Sequence, residues 1–108
     1  MTVIPIGGWI ETLRKVVSWL HKADDEHNDP DILDVIAIIE NILDHEEEGM
    51  EYEEQNGFPP DVNQWWSDDM GDASSDMATL LQTYTNDTNI TKAKEDNDTT
   101  KDSVDDYL

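Results

Sequence analysis

Between Ala23 and Thr91 the chain runs for 69 residues without a lysine or arginine, and this window holds 20 of the 27 acidic side chains. The same window contains Ile32, Leu33, Val35, Ile36, Ile38, Ile39, Ile42 and Leu43 within twelve positions. Together these two facts constrain the fold. Acidic segments poor in large apolar residues stay disordered, because they bury too little surface to offset chain entropy. This window has the apolar residues. It is expected to fold around them and to turn its carboxylates outward.

The apolar residues recur at helical spacing. Over 31–48, Ile32, Val35, Ile36, Ile39, Ile42 and Leu43 form one face at 100° per residue. Asp34, Glu40, Asp44, Glu47 and Glu48 fall on the opposite half with Asn41 and His45, and Ile38 breaks the pattern. Asp29-Pro30 or Asp31 starts this helix, with proline in its favoured first turn. Upstream, Trp9, Ile10, Leu13, Val16, Val17 and Leu20 make a stripe over 8–22, with Trp19 at its edge. A short extended stretch over 2–6 precedes it, and 23–29 reads as a loop.

Downstream, 49–60 reads as a loop with at most one helical turn, carrying Glu51, Glu53 and Glu54 and ending in Pro59-Pro60. A short helix over 61–70 brings together Val62, Trp65, Trp66 and Asp69. Another over 75–84 places Met77, Leu80, Leu81 and Tyr84 on one face, capped by Ser74 or Ser75. Beyond it, Asn, Asp, Thr and Lys dominate, and only Ile90, Val104, Tyr107 and Leu108 are large and apolar. The expected architecture is therefore all-α: a small bundle of three to four helices over 1–84, followed by a flexible acidic tail over 85–108.

A length of 108 residues allows one small domain. A formal net charge of −21 is the inverse of a nucleic-acid footprint, so direct nucleic-acid binding is not expected. Docking on anionic membranes is disfavoured for the same reason, and no run reaches the length of a spanning helix. With no cysteine, thiolate metal sites, disulfides and cysteine nucleophiles are excluded. The first twenty residues lack a basic leader and are interrupted by Glu11, Arg14 and Lys15, so a cytoplasmic location is expected, in the host cell if the chain is phage-encoded. Three N-x-Thr sequons, at Asn86, Asn89 and Asn97, lie in the Asn/Thr-rich tail.

No pattern points to catalysis. Carboxylate pairs are so common here that pairing carries no information. The segment His45-Glu46-Glu47-Glu48 lacks the second histidine of a zinc-protease helix. A calcium loop starting at Asp24 or Asp25 lacks its glycine and its final glutamate. Gly7-Gly8 is no phosphate loop. His21, His27 and His45 read as exposed polar residues. The chain is expected to be a non-enzyme with no metal and no cofactor.

The acids themselves are the informative feature. Glu40, Asp44 and Glu48 stand four apart on one helix, each pair costing a few tenths of a kcal/mol, with no lysine between them. A helix selected for stability alone would carry one. Three readings compete: a solvated or salt-adapted surface, imitation of DNA, and dedicated inhibition of one basic partner, as nuclease-toxin immunity proteins do. In the last, a tryptophan would anchor the interface. Trp65 and Trp66 lie 100° apart on a helix, so both cannot centre on the core. The candidate partner contacts are Asp34, Glu40, Asp44, Glu47, Glu48, Glu51, Glu53, Glu54, Trp66, Asp68 and Asp69.

In size, extreme acidity, lack of cysteine and helical pattern, the stretch 9–84 resembles the phage-encoded DNA-mimic proteins of the anti-restriction type. That resemblance implies an inhibitor that blocks the DNA-binding site of a basic host protein: a restriction or CRISPR complex, a polymerase or a nucleoid protein. The cluster Arg14, Lys15 and Lys22 departs from it and marks either the face turned away from a partner or a dimer contact. A homodimer would lengthen the charged track.

Overall fold

The structure, a computed structural model, describes residues 5–57 and 61–108. Four helices account for nearly all of them: α1 (Ile6–His27), α2 (Pro30–Asn56), α3 (Gln64–Thr83) and α4 (Thr88–Asp105). The described residues contain no strand. The all-α expectation holds, with four helices. The extended stretch expected over 2–6 lies outside the described residues apart from Pro5 and Ile6, and Ile6 already opens α1.

Local signals set the helix ends. α1 takes in most of the expected loop at 23–29, with Ala23 buried, and it stops where Asn28 takes a left-handed conformation and its amide bonds to the Asp24 carbonyl. Asp29 then caps α2 by accepting from the Asp31 amide, with Pro30 in the first turn. α2 passes through Gly49, which costs about 1 kcal/mol against alanine, because good helix formers flank it. It ends at Gly57, whose φ of 77° suits a residue without a Cβ. The acids at 51, 53 and 54 therefore belong to a helix, not to the expected loop.

The two short helices expected over 61–70 and 75–84 are one. Trp66, Met70, Ala73, Met77 and Leu80 continue a single buried stripe across the junction. Gly71, between the two expected helices, allows a close approach: a Cβ there would stand 3.3 Å from the Lys101 side chain.

The expected flexible tail is a correction of larger consequence. Most of 85–108 is α4, capped by Asp87, which accepts from the Ile90 amide. Its buried stripe is Ile90, Ala93, Asn97, Thr100 and Val104, a three–four alternation that faces the core. The 45 × 22 × 18 Å molecule is a ring of four helices in which α1 packs on α2 and α4, and α3 packs on α2 and α4. The backbones of the diagonal pairs, α1–α3 and α2–α4, do not approach closely.

The interior is mostly aliphatic, with Leu13, Val16, Leu20, Ile32, Val35, Ile39, Ile42, Met70 and Met77 fully enclosed. A polar, aromatic layer crosses it nearer one end. Trp9 donates to Ser103 Oγ at 2.9 Å and meets Trp66 edge to face at 6.3 Å. Trp66 donates to His45 Nδ1 at 2.9 Å, so that nitrogen carries no proton. Asn97 Nδ2 donates to the Met70 carbonyl at 2.8 Å. Glu46 is wholly buried in α2, and neither of its carboxyl oxygens has a hydrogen-bond partner. Burial raises its pKa to about 8, so the carboxyl is protonated at neutral pH.

Candidate functional site

The helix order decides where charge can accumulate. All six Lys and Arg residues lie on α1 (Arg14, Lys15, Lys22) and α4 (Lys92, Lys94, Lys101), which are neighbours. Those two helices carry nine carboxylates. α2 and α3 carry fourteen and no basic residue apart from His45. One broad side of the bundle is therefore mixed in charge and the other is almost purely acidic.

Ion pairs sharpen this division. Arg14 bonds Glu47 at 2.7 Å across the α1–α2 seam, and His21 Nε2 stands 3.9 Å from Glu40 there. Along α4, Lys94 holds Asp98 at 2.8 Å and Lys101 holds Asp105 at 2.9 Å. Burial raises the pKa of Asp98, but its bonds to Lys94 and Ser74 outweigh this and hold it below the usual carboxylate range. Asp105 is lowered by the bonds from Ser67 and Lys101. On the α2–α3 side, Asp34, Asp44, Glu48, Asp72 and Asp76 have no ion-pair partner among the described residues. Partial burial and the neighbouring carboxylates of Asp72 and Asp68 raise the pKa of Asp69. That is the mark of acids crowded without a counter-charge.

Most of the candidate contacts are where an interface could use them. Asp34, Glu40, Asp44, Glu47, Glu48, Glu51, Glu54 and Asp68 are exposed, and Glu53 and Asp69 are half-buried. They do not form one patch. Glu40 and Glu47 lean towards α1 and its cations. Asp34 joins Asp31 and Asp76 around a groove between α2 and α3. Glu48 lines a second such groove with His45 and Asn63. The row Glu40, Asp44, Glu48 thus crosses α2 from the α1 seam to the α3 side. Asp72 and Asp76, absent from the sequence-derived set, belong with it. The clue to them was the lack of lysine throughout 64–83.

Trp66 is a correction. It is 1% exposed, so it is a core residue and no partner can reach it. Trp65 is the half-exposed member of the pair, its ring 5.1 Å from that of His45. The histidines also depart from expectation. His21 is exposed, but His27 and His45 are half-buried and bonded.

Each α2 turn of four residues advances about 6 Å, and α2 spans about 40 Å. The thirteen carboxylates of α2 and α3 outside the core amount to one per about 3 Å of axis, against 3.4 Å per phosphate along one DNA strand. Such crowding opposes compaction, so raising ionic strength from low to moderate should raise the melting temperature by several degrees in scanning calorimetry. An unchanged midpoint would show that these carboxylates do not strain the fold.

Comparison with protein-family models, with characterised proteins and with solved structures finds no match to this chain.

Proposed function

We propose that the protein is a non-enzymatic DNA mimic, which occupies the cationic DNA-binding groove of a basic protein through the α2–α3 side of its bundle. The observation that carries this reading is the segregation of charge: thirteen carboxylates outside the core and no Lys or Arg on two adjacent helices, at an axial density close to that of one DNA strand. The rigid scaffold supports it as well, because charges held on packed helices need little ordering when a partner binds. Binding of this kind spreads its energy over many weak pairs and gains from released counterions and steered encounter. The defence complexes, polymerases and nucleoid proteins of a bacterial host are the class of target, and the protein would act in that cell's cytoplasm.

The half-exposed Trp65 favours a second reading, dedicated inhibition of one basic partner, with an aromatic anchor beside the acids. One experiment separates the two. The immobilised protein is exposed to a bacterial lysate, eluted in a salt gradient and challenged with duplex DNA. DNA-binding proteins that elute at moderate salt and are displaced by DNA support mimicry. A single protein that resists both high salt and DNA supports the dedicated inhibitor. Reversing Asp34, Asp44, Glu48 and Asp76 together to lysine should abolish retention by the mimic, because it converts the cation-free face. Reversing Asp25, Glu95, Asp102 and Asp106 should weaken retention only slightly. Equal loss from the two sets would refute the assignment to α2 and α3.

A further inference from the structure

At the end of the bundle where α1 stops and α4 starts, three side chains converge. His27 Nε2 lies 2.6 Å from Asp87 Oδ2 and 4.0 Å from Glu26 Oε2, and all three donor atoms lie within 4.8 Å of one another. We propose that Glu26, His27 and Asp87 form a binding site for one divalent transition-metal ion of the zinc type. The site is independent of the acidic α2–α3 face.

The donor set is one imidazole and two carboxylates. That combination suits zinc and its neighbours and leaves a fourth position to water. Ligands around tetrahedral zinc stand about 3.3 Å apart, given bond lengths of about 2.0–2.1 Å. The His27–Asp87 separation must therefore open by about 0.7 Å and the His27–Glu26 separation close by as much. Glu26 is exposed and its side chain can swing that far.

The surroundings hold the other two ligands in place. The His27 ring stacks on Tyr84 with centroids 3.9 Å apart and planes 17° apart. Tyr84 in turn donates to Asp29 Oδ2 at 2.6 Å. The second oxygen of Asp87 accepts from the Ile90 amide at 2.9 Å. Contacts of this kind orient metal ligands.

Electrostatics favours a dication there. The two carboxylates face at most one positive charge, that of a protonated His27. The last carbonyls of α1 bring partial negative charge to the same place, and the first amides of α4, which Asp87 caps, bring partial positive charge that offsets it. A divalent ion bound to neutral imidazole balances both carboxylates. The imidazole also sets this place apart from the Asp31, Asp34, Asp76 groove, which offers oxygen atoms only and so no preference for a transition metal.

The test is calorimetric titration of the chelator-stripped protein with Zn²⁺ against a millimolar background of Mg²⁺. One equivalent should bind. NMR should show the His27 ring signals shifting while those of His21 and His45 stay in place. Glu26→Gln, at an exposed position, should keep the wild-type melting temperature and weaken Zn²⁺ by about tenfold or more, and His27→Gln should remove the site. Zn²⁺ bound equally well by the wild type and Glu26→Gln would overturn the proposal. So would displacement of Zn²⁺ by the Mg²⁺, which marks a diffuse acidic surface.

Discussion

Ending the chain at Tyr84 should leave a polypeptide with no cooperative thermal transition. α4 is one of four walls. Its loss uncovers the sides of α1 and α3 that it packs against. Trp9 loses the Ser103 hydroxyl, the Met70 carbonyl loses the Asn97 amide, and Ser67 and Ser74 lose Asp105 and Asp98. Ile90 and Val104 alone bury side chains worth about 1.5–3 kcal/mol each. A domain of this size has about 5–15 kcal/mol in total, and this one also bears the repulsion of its acids. Far-UV circular dichroism against temperature reads the result, and the single substitution Ile90→Ala, expected to cost about 2–5 kcal/mol, gives a milder version of the same test. A truncated chain that melts cooperatively near the full-length midpoint would show that α4 does not hold up the fold.

That helix also shows where a sequence stops being legible. α2 was readable because its stripe is built from isoleucine, valine and leucine, residues whose spacing has no other ready explanation. The stripe of α4 has the same three–four alternation, but its middle members are Ala93, Asn97 and Thr100, which composition alone assigns to solvent. Subtler signals were present: Asp87 placed to cap, and Lys94–Asp98 and Lys101–Asp105 at helical spacing. The helix expected to end at 48 runs on to 56, and it is Gly57, not Gly49, that takes a positive φ. The cation-free stretch was visible from the outset. Its meaning as a face was not, because only the order of helices around the ring sets α2 beside α3 and gathers every Lys and Arg on α1 and α4. The His27–Asp87 pair joins residues sixty apart, and no local pattern foretells it.

Glu46 continues the spacing of Ile39, Ile42 and Leu43, so its place in the core follows from periodicity, and its charge disguised it. Its titration should govern how stability responds to pH. An ordinary glutamate in the unfolded chain ionises near 4.5, whereas the buried one holds its proton to about 8. Between those values the folded state binds one proton more than the unfolded state, so stability falls as pH rises, by about 1.4 kcal/mol per unit. Over the whole window the loss is about 5 kcal/mol, and above it the slope from this group vanishes. Asp29, Asp98 and Asp105 act in the opposite sense. Their pKa values are lowered, Asp29 chiefly by the Tyr84 hydroxyl, and they withdraw stability only as pH falls below the normal carboxylate range. The most stable pH should therefore be mildly acidic, near 5. Replacing Glu46 with leucine removes two unpartnered oxygens at similar volume, since an apolar group of like shape has no desolvation penalty to offset. Urea unfolding of Glu46→Leu should show it more stable than the wild type at pH 7 by a few kcal/mol, with the difference shrinking towards pH 5 as the unfolded chain's glutamate takes up its proton. Two stability curves that run parallel from pH 5 to 8 would mean that Glu46 reaches water or a partner, and that the core is open at that layer.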